Sequence, residues 1–189
     1  MLIHILMTAA WAADIGENAP AFTLTAAAGE EVSLSQFKGK TVVLEWFNPG
    51  CPYVKHVYGD GTMQKTAEKW EEKGVVWLSV NSGAPGKQGA GEKASSKARE
   101  QWSMQWPVLL DPAGEVGRAY GAKTTPHMFV IDPEGVLAYD GALDNAPMGK
   151  PKGGKNVPFL ENALEDVLKG EKPGTPRTPP YGCSVKYGK

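Results

Sequence analysis

The sequence predicts an α/β fold, a central mixed β-sheet flanked by helices, with a β-hairpin extension at the N-terminal side. Three observations predict it. "TVVLEWF" (41–47) and "VVWLSV" (75–80) are short runs of mostly β-branched and aromatic residues, the pattern of strands buried on both faces. Stretches of helical character separate these strands from those that follow, an alternation that calls for helices packed on a sheet. At 189 residues the chain is long enough to bury one sizeable core without disulfide staples.

In chain order, "MLIHILMTAAWAADIGENAP" opens with an apolar run from Leu2 to Ala10. Ala10-Trp11-Ala12 then forms a small-x-small pattern that a signal peptidase can cut before Ala13. Residues 1–12 are expected to be a signal peptide and the mature protein periplasmic or secreted. No Lys or Arg precedes the short run, so the alternative is an uncut leader on a cytoplasmic protein. No other run nears the roughly 18 apolar residues of a membrane span, so no stable membrane insertion is expected after processing.

"APAFTLTAAAGEEVSLSQFKGK" alternates apolar and polar residues on either side of Ala28-Gly29, as two strands around a turn do. "CPYVKHVYGDGTMQKTAEKWEEKG" reads as helical in its second half, with Met63, Ala67 and Trp70 on one stripe and Gly74 as the stop. "NSGAPGKQGAG" (81–91) consists mainly of small and helix-breaking residues and predicts a mobile loop before a helix near 92–102. "WPVLLD" is a short strand, "PAGEVGRAYG" a short helix, and "HMFVIDPEGVLAYDG" a hairpin turning at Asp132-Pro133-Glu134-Gly135. An amphipathic helix over about 157–168 points Phe159, Leu160, Ala163, Leu164, Val167 and Leu168 inward. The domain therefore covers 13–170, and a Pro-rich tail without periodicity, 171–189, carries the second cysteine.

Lys plus Arg number 20 against 21 acidic residues, and a net charge of −1 gives no field to attract nucleic acid. Two cysteines are too few for a disulfide scaffold or a four-thiolate zinc site. No cofactor is implied.

Cys51 follows the strand 41–47, and Pro52 suits the first turn of a helix, so the thiol is placed at a helix N-terminus. Unpaired N–H groups and the helix dipole favour the thiolate there. The alternative, a buried cysteine packing as a small hydrophobe, fits poorly with Pro49, Gly50 and Pro52 around it. Glu45 interrupts an otherwise apolar strand. Burial would raise its pKa toward neutrality and let it exchange a proton with a neighbouring thiol, whereas a solvated strand end would leave it ordinary. "KTTPHMFVID" sends a Thr-Thr-Pro turn directly into a strand. Lys150, Lys152 and Lys155 in "GKPKGGKN" read as a solvated connector or a weak anion site.

Together these segments resemble the thioredoxin-like superfamily, specifically its peroxiredoxin-like redoxin branch, related to alkyl hydroperoxide reductase and thiol-specific antioxidant proteins. Cys51-Pro52-Tyr53-Val54 stands where thioredoxins have Cys-x-x-Cys, and Glu45 matches their buried acidic residue. "TTPHMFVID" matches the strand that begins with the superfamily's cis-proline. The resemblance implies a thioredoxin-like fold, a catalytic Cys51 assisted by Glu45, a cis Pro126, and a substrate groove formed by Pro52, Thr125 and Pro126. It also implies protein or small-molecule thiols and disulfides as partners. Val54 replaces the second thioredoxin cysteine, which excludes a self-contained Cys-x-x-Cys cycle.

Cys183, 132 positions beyond Cys51 on the flexible tail, is the candidate second thiol, with Tyr181, Val185 and Tyr187 as apolar anchors. Three roles stay open for it: a resolving thiol, a permanent disulfide with Cys51, or a free thiol. The leading expectation is a thiol-disulfide oxidoreductase. One alternative is a thiol peroxidase, for which Leu44 and Asn48 depart from the peroxiredoxin pattern. The other is a non-catalytic protein that docks a partner or binds copper through Cys51, His56, His127 and Cys183.

Overall fold

The structure, a computed structural model, describes residues 12–189. The expected signal peptide lies, but for its last residue, outside them. The chain runs β1 (Thr23–Ala26), β2 (Glu31–Ser33), β3 (Val42–Trp46), α1 (Pro52–Gly59), α2 (Thr62–Glu71), β4 (Val76–Asn81) and α3 (Gly91–Gln101). It continues with β5 (Val108–Leu110), α4 (Glu115–Ala119), β6 (Thr124–Thr125), β7 (His127–Ile131), β8 (Leu137–Gly141), α5 (Phe159–Leu168) and β9 (Cys183–Ser184).

Seven strands form one mixed sheet in the order β2-β1-β5-β4-β3-β7-β8. The central strands β3, β4 and β5 are parallel, while β7, β8 and the N-terminal hairpin add antiparallel pairs. As the apolar runs predicted, β3 is buried throughout and β4 in all but its first residue; every residue of β7 is buried as well. Alternation along the pleat divides them: Val43, Met128 and Val130 face α1, α2, α3 and α5, whereas Leu44, Trp46 and Phe129 face Tyr120 after α4. Glu45 shares the face of Val43, the one against which α1 packs.

Four expectations need correction. Helix begins at Pro52, as the placement of Cys51 implied, so the first half of the 51–74 segment is helical and not only the second; proline at the first position sacrifices no intrahelical bond. A break at Asp60-Gly61, with Gly61 left-handed (φ 78°), then separates α1 from α2. The 81–91 loop is tied down rather than loose: Asn81 to Ala84 are buried, and the Asn81 amide donates to the Gly89 carbonyl (2.8 Å) and Ser95 Oγ (3.0 Å). Leu168 is 42% exposed, since it lies off the stripe of Leu160, Ala163, Leu164 and Val167. The tail, finally, contains a strand, β9, which pairs antiparallel with β6.

Candidate active site

Two loops and the tail converge at the C-terminal end of β3. The loop after β3 is shaped by Asn48, whose Oδ1 accepts from the Gly50 N–H (2.7 Å) while its amide donates to the Gln88 carbonyl (3.0 Å). This fastens the loop to the 81–91 segment and sets Cys51 as the N-cap of α1, with Pro52 exposed at its first position. The Cys51 side chain is fully buried, and its thiol donates to the Thr125 carbonyl at 3.0 Å. The Thr125-Pro126 peptide is cis, as the resemblance implied.

Thr125 pairs in register with Cys183, so the carbonyl that receives the Cys51 thiol belongs to the residue facing the second cysteine. Both cysteines are free, and each thiol affects the ionisation of the other. Burial raises the pKa of Cys51. The Cys183 thiol, the Thr125 side chain and the N–H groups of Val54 and Cys183 outweigh it, and the thiol is held below its ordinary value. Thr125 Oγ1 is buried without a hydrogen-bond partner among the described residues, which leaves it free to donate to a Cys51 thiolate. Cys183 moves the other way, pushed up to about 11 by desolvation and by Cys51. The two thiols titrate as a pair, with the shifts in the direction that favours the thiolate at Cys51.

Cys183 does not ride on a flexible tail. Before it, Thr178 Oγ1 accepts from the Ala142 N–H (2.9 Å) and the Tyr181 hydroxyl donates to Asp144 (2.7 Å). After it, Val185 bonds the Lys123 carbonyl, Lys186 accepts from Ala84, and the Tyr187 hydroxyl donates to the Ala122 carbonyl (2.9 Å). Tyr187 lies against Gly114 and Gly117, where a Cβ would meet its ring or hydroxyl at 2.6 and 2.4 Å. The expected anchors Tyr181, Val185 and Tyr187 thus hold a strap fixed on both sides of Cys183.

Glu45 is fully buried behind this arrangement. Its Oε2 accepts from the Tyr58 hydroxyl (2.7 Å) and Ser79 Oγ (2.9 Å), with Trp77 Nε1 at 3.5 Å, whereas Oε1 has no partner among the described residues. Desolvation exceeds the effect of these donors and lifts its pKa to about 7. Tyr58 lies on α1, the helix that Cys51 caps, and connects the carboxyl to that helix. Sequence reasoning missed Tyr58, Ser79 and Asn48. The one signal for Tyr58 was its spacing from Val54 and Val57 on the buried face of α1.

The copper-binding set is dispersed, and no group of three metal-competent side chains occurs among the described residues. His127 shares the sheet face of Phe129, opposite that of Met128 and Cys51. Its Nδ1 accepts from the Lys123 N–H (3.2 Å), and its Nε2 pairs with Asp140 (2.7 Å). His56 instead faces Asp60 one turn along α1, at 3.6 Å. The Lys150–Lys155 segment is exposed.

The family model described as AhpC/TSA matches residues 15–140. A thiol-disulfide oxidoreductase ResA of Bacillus thuringiensis is 29% identical over 129 residues, covering 65% of this chain and 66% of that protein, just under two thirds of its length. Among solved structures, an uncharacterized conserved protein from Geobacillus kaustophilus superposes with a TM-score of 0.81 at 28% identity, covering 93% of each chain. The thioredoxin domain of a thiol-disulfide oxidoreductase from Bacteroides vulgatus gives 0.56 at 28% identity, covering 67% of this chain and 87% of that one. The fold is thioredoxin-like.

Proposed function

The chain belongs to the AhpC/TSA family, and we propose on that footing that it is a thiol-disulfide oxidoreductase whose redox pair is Cys51 and Cys183. One observation carries the pairing: both cysteines meet Thr125, Cys51 through a thiol hydrogen bond to its carbonyl and Cys183 through strand register. The pair cycles between dithiol and disulfide. An external disulfide RSSR takes two electrons from the dithiol and leaves as two thiols, and the Cys51–Cys183 bond forms; the reverse sequence oxidises external thiols.

Each neighbour has a role in that cycle. The α1 N-terminus, the Val54 N–H and Thr125 Oγ1 stabilise the Cys51 thiolate, which supplies the nucleophile. With a pKa near neutrality, Glu45 is suited to exchanging protons as thiols form and disappear. Val54 is apolar and buried where a second vicinal cysteine would stand, so the strap supplies the second sulfur.

The test is turnover of a model disulfide with dithiothreitol as reductant. Cys51→Ser is expected to lose turnover through the internal disulfide, because an adduct on the remaining cysteine has no partner thiol to displace it, and wild-type rates in that variant would overturn the assignment. Oxidation of the reduced protein by hydrogen peroxide no faster than that of free cysteine separates this function from a thiol peroxidase.

A further inference from the structure

In the reduced site the more acidic sulfur is also the inaccessible one. Cys51 has no exposed surface, lying beneath the strap and against the Thr125 backbone, whereas Cys183 is partly exposed. The strap is held on both sides of Cys183. Gly182 sits so close to Thr125 that a Cβ would lie 2.1 Å from its carbonyl oxygen, and Tyr187 fixes the far side in its glycine-lined slot. Tyr181 packs beside Tyr53 of α1, ring centres 6.1 Å apart, and closes the near side.

Resting on the oxidoreductase reading, we propose that Cys183, on the strap, is the entry sulfur, and that external thiols and disulfides exchange through it while Cys51 reacts only internally. In the oxidised protein an incoming thiolate RS⁻ bonds to the Cys183 sulfur. The Cys51–Cys183 bond breaks, and its electron pair leaves on Cys51. A second thiolate then attacks the external sulfur of the R–S–S–Cys183 adduct, releasing RSSR and a Cys183 thiolate that takes up a proton. An external disulfide reloads the pair by the same steps reversed, with Cys51 closing on the adduct at Cys183. The order follows from access, because exchange requires an approach to the sulfur that is attacked. The pKa difference between the thiols agrees with it, since the sulfur with the lower value is the better leaving group.

This order differs from the one the Cys-x-x-Val motif suggests, where the cysteine at the helix N-terminus meets the substrate. It also gives the strap a specificity role: the substrate sulfur must approach a strand edge formed by the chain's own tail.

The test uses the oxidised wild-type protein, with loss of both free thiols confirmed first. If those thiols do not disappear together within one chain, the redox pair itself is wrong. The oxidised protein is mixed with a sub-stoichiometric amount of reduced glutathione, quenched in acid within milliseconds to seconds, blocked with N-ethylmaleimide and mapped by mass spectrometry. The glutathione adduct is expected on the Cys183 peptide in about ten-fold excess over Cys51. An adduct mainly on Cys51 overturns the proposal and leaves the redox pair standing. Tyr187→Ala, which empties the slot, is expected to move adduct toward Cys51, and an unchanged partition would show that the strap does not control entry.

Discussion

Glu45 concentrates the electrostatics of the site in one side chain. It stands in register with Ser79 on one neighbouring strand and Met128 on the other, a position where the carboxylate cannot keep its water. Three donors converge on Oε2, and still the pKa rises from 4.5 to about 7, so desolvation is the larger effect. The folded protein therefore holds the Glu45 proton more tightly than the unfolded chain does. That contribution to stability is fully present below pH 4.5 and is lost as the pH rises through 7. Glu45→Gln cannot ionise. Relative to wild type it is expected to gain on the order of 3 kcal/mol between pH 4 and 8, the free energy of a shift of this size. Urea unfolding of both proteins across that range measures it, and a difference independent of pH would show that Glu45 titrates as an ordinary carboxyl. Glu45 was legible in the sequence as a charge inside an apolar strand. Tyr58 was not, because a tyrosine on the inner face of a helix reads as packing until its hydroxyl is seen against the carboxyl.

At the level of elements, two short strands determine how the site works. β6 and β9 are two residues each, with no alternation long enough to register as a pattern, yet their pairing places Cys183 at Thr125. Gly182 makes the pairing possible, since its φ of 133° and its 2.1 Å clearance to the Thr125 carbonyl leave no room for a side chain. Gly182→Ala is expected to lift the strap and expose Cys51, raising the rate of iodoacetamide labelling of that thiol in the reduced protein by about ten-fold or more. Labelling at the wild-type rate would mean that something other than the strap shields Cys51. The Asn81–Gly91 segment teaches the same lesson. Its glycines suggested mobility, whereas they permit close approach: at Gly89 a Cβ would lie 2.0 Å from the Asn48 side chain that positions the Cys51 loop.

For the whole molecule, the Cys51–Cys183 bond would close a loop of 132 positions, running from the strand-to-helix junction to the tail. In the chain-entropy model a loop of that length stabilises the fold by up to about 5 kcal/mol, the strap being already seated in the reduced protein. Oxidised protein is therefore expected to unfold at higher urea concentration than reduced protein, and coincident midpoints would mean that bridging strains the site as much as it restricts the unfolded chain. By itself the sequence determined the central strands and the placement of Cys51 at the start of a helix, and it singled out Glu45 as a charge in an apolar strand whose burial the structure then decided. Each follows from residue type over a few neighbouring positions, where burial and backbone geometry restrict what can stand. Tertiary structure alone decided which cysteine Cys51 meets, why His127 cannot join it and which of the two cysteines keeps exposed surface. His127 falls on the opposite face because its neighbour Met128 points toward the Cys51 side. Cys183 comes within reach because β9 pairs with β6, and a contact across so many positions is set by sheet order and tail docking, not by any local pattern.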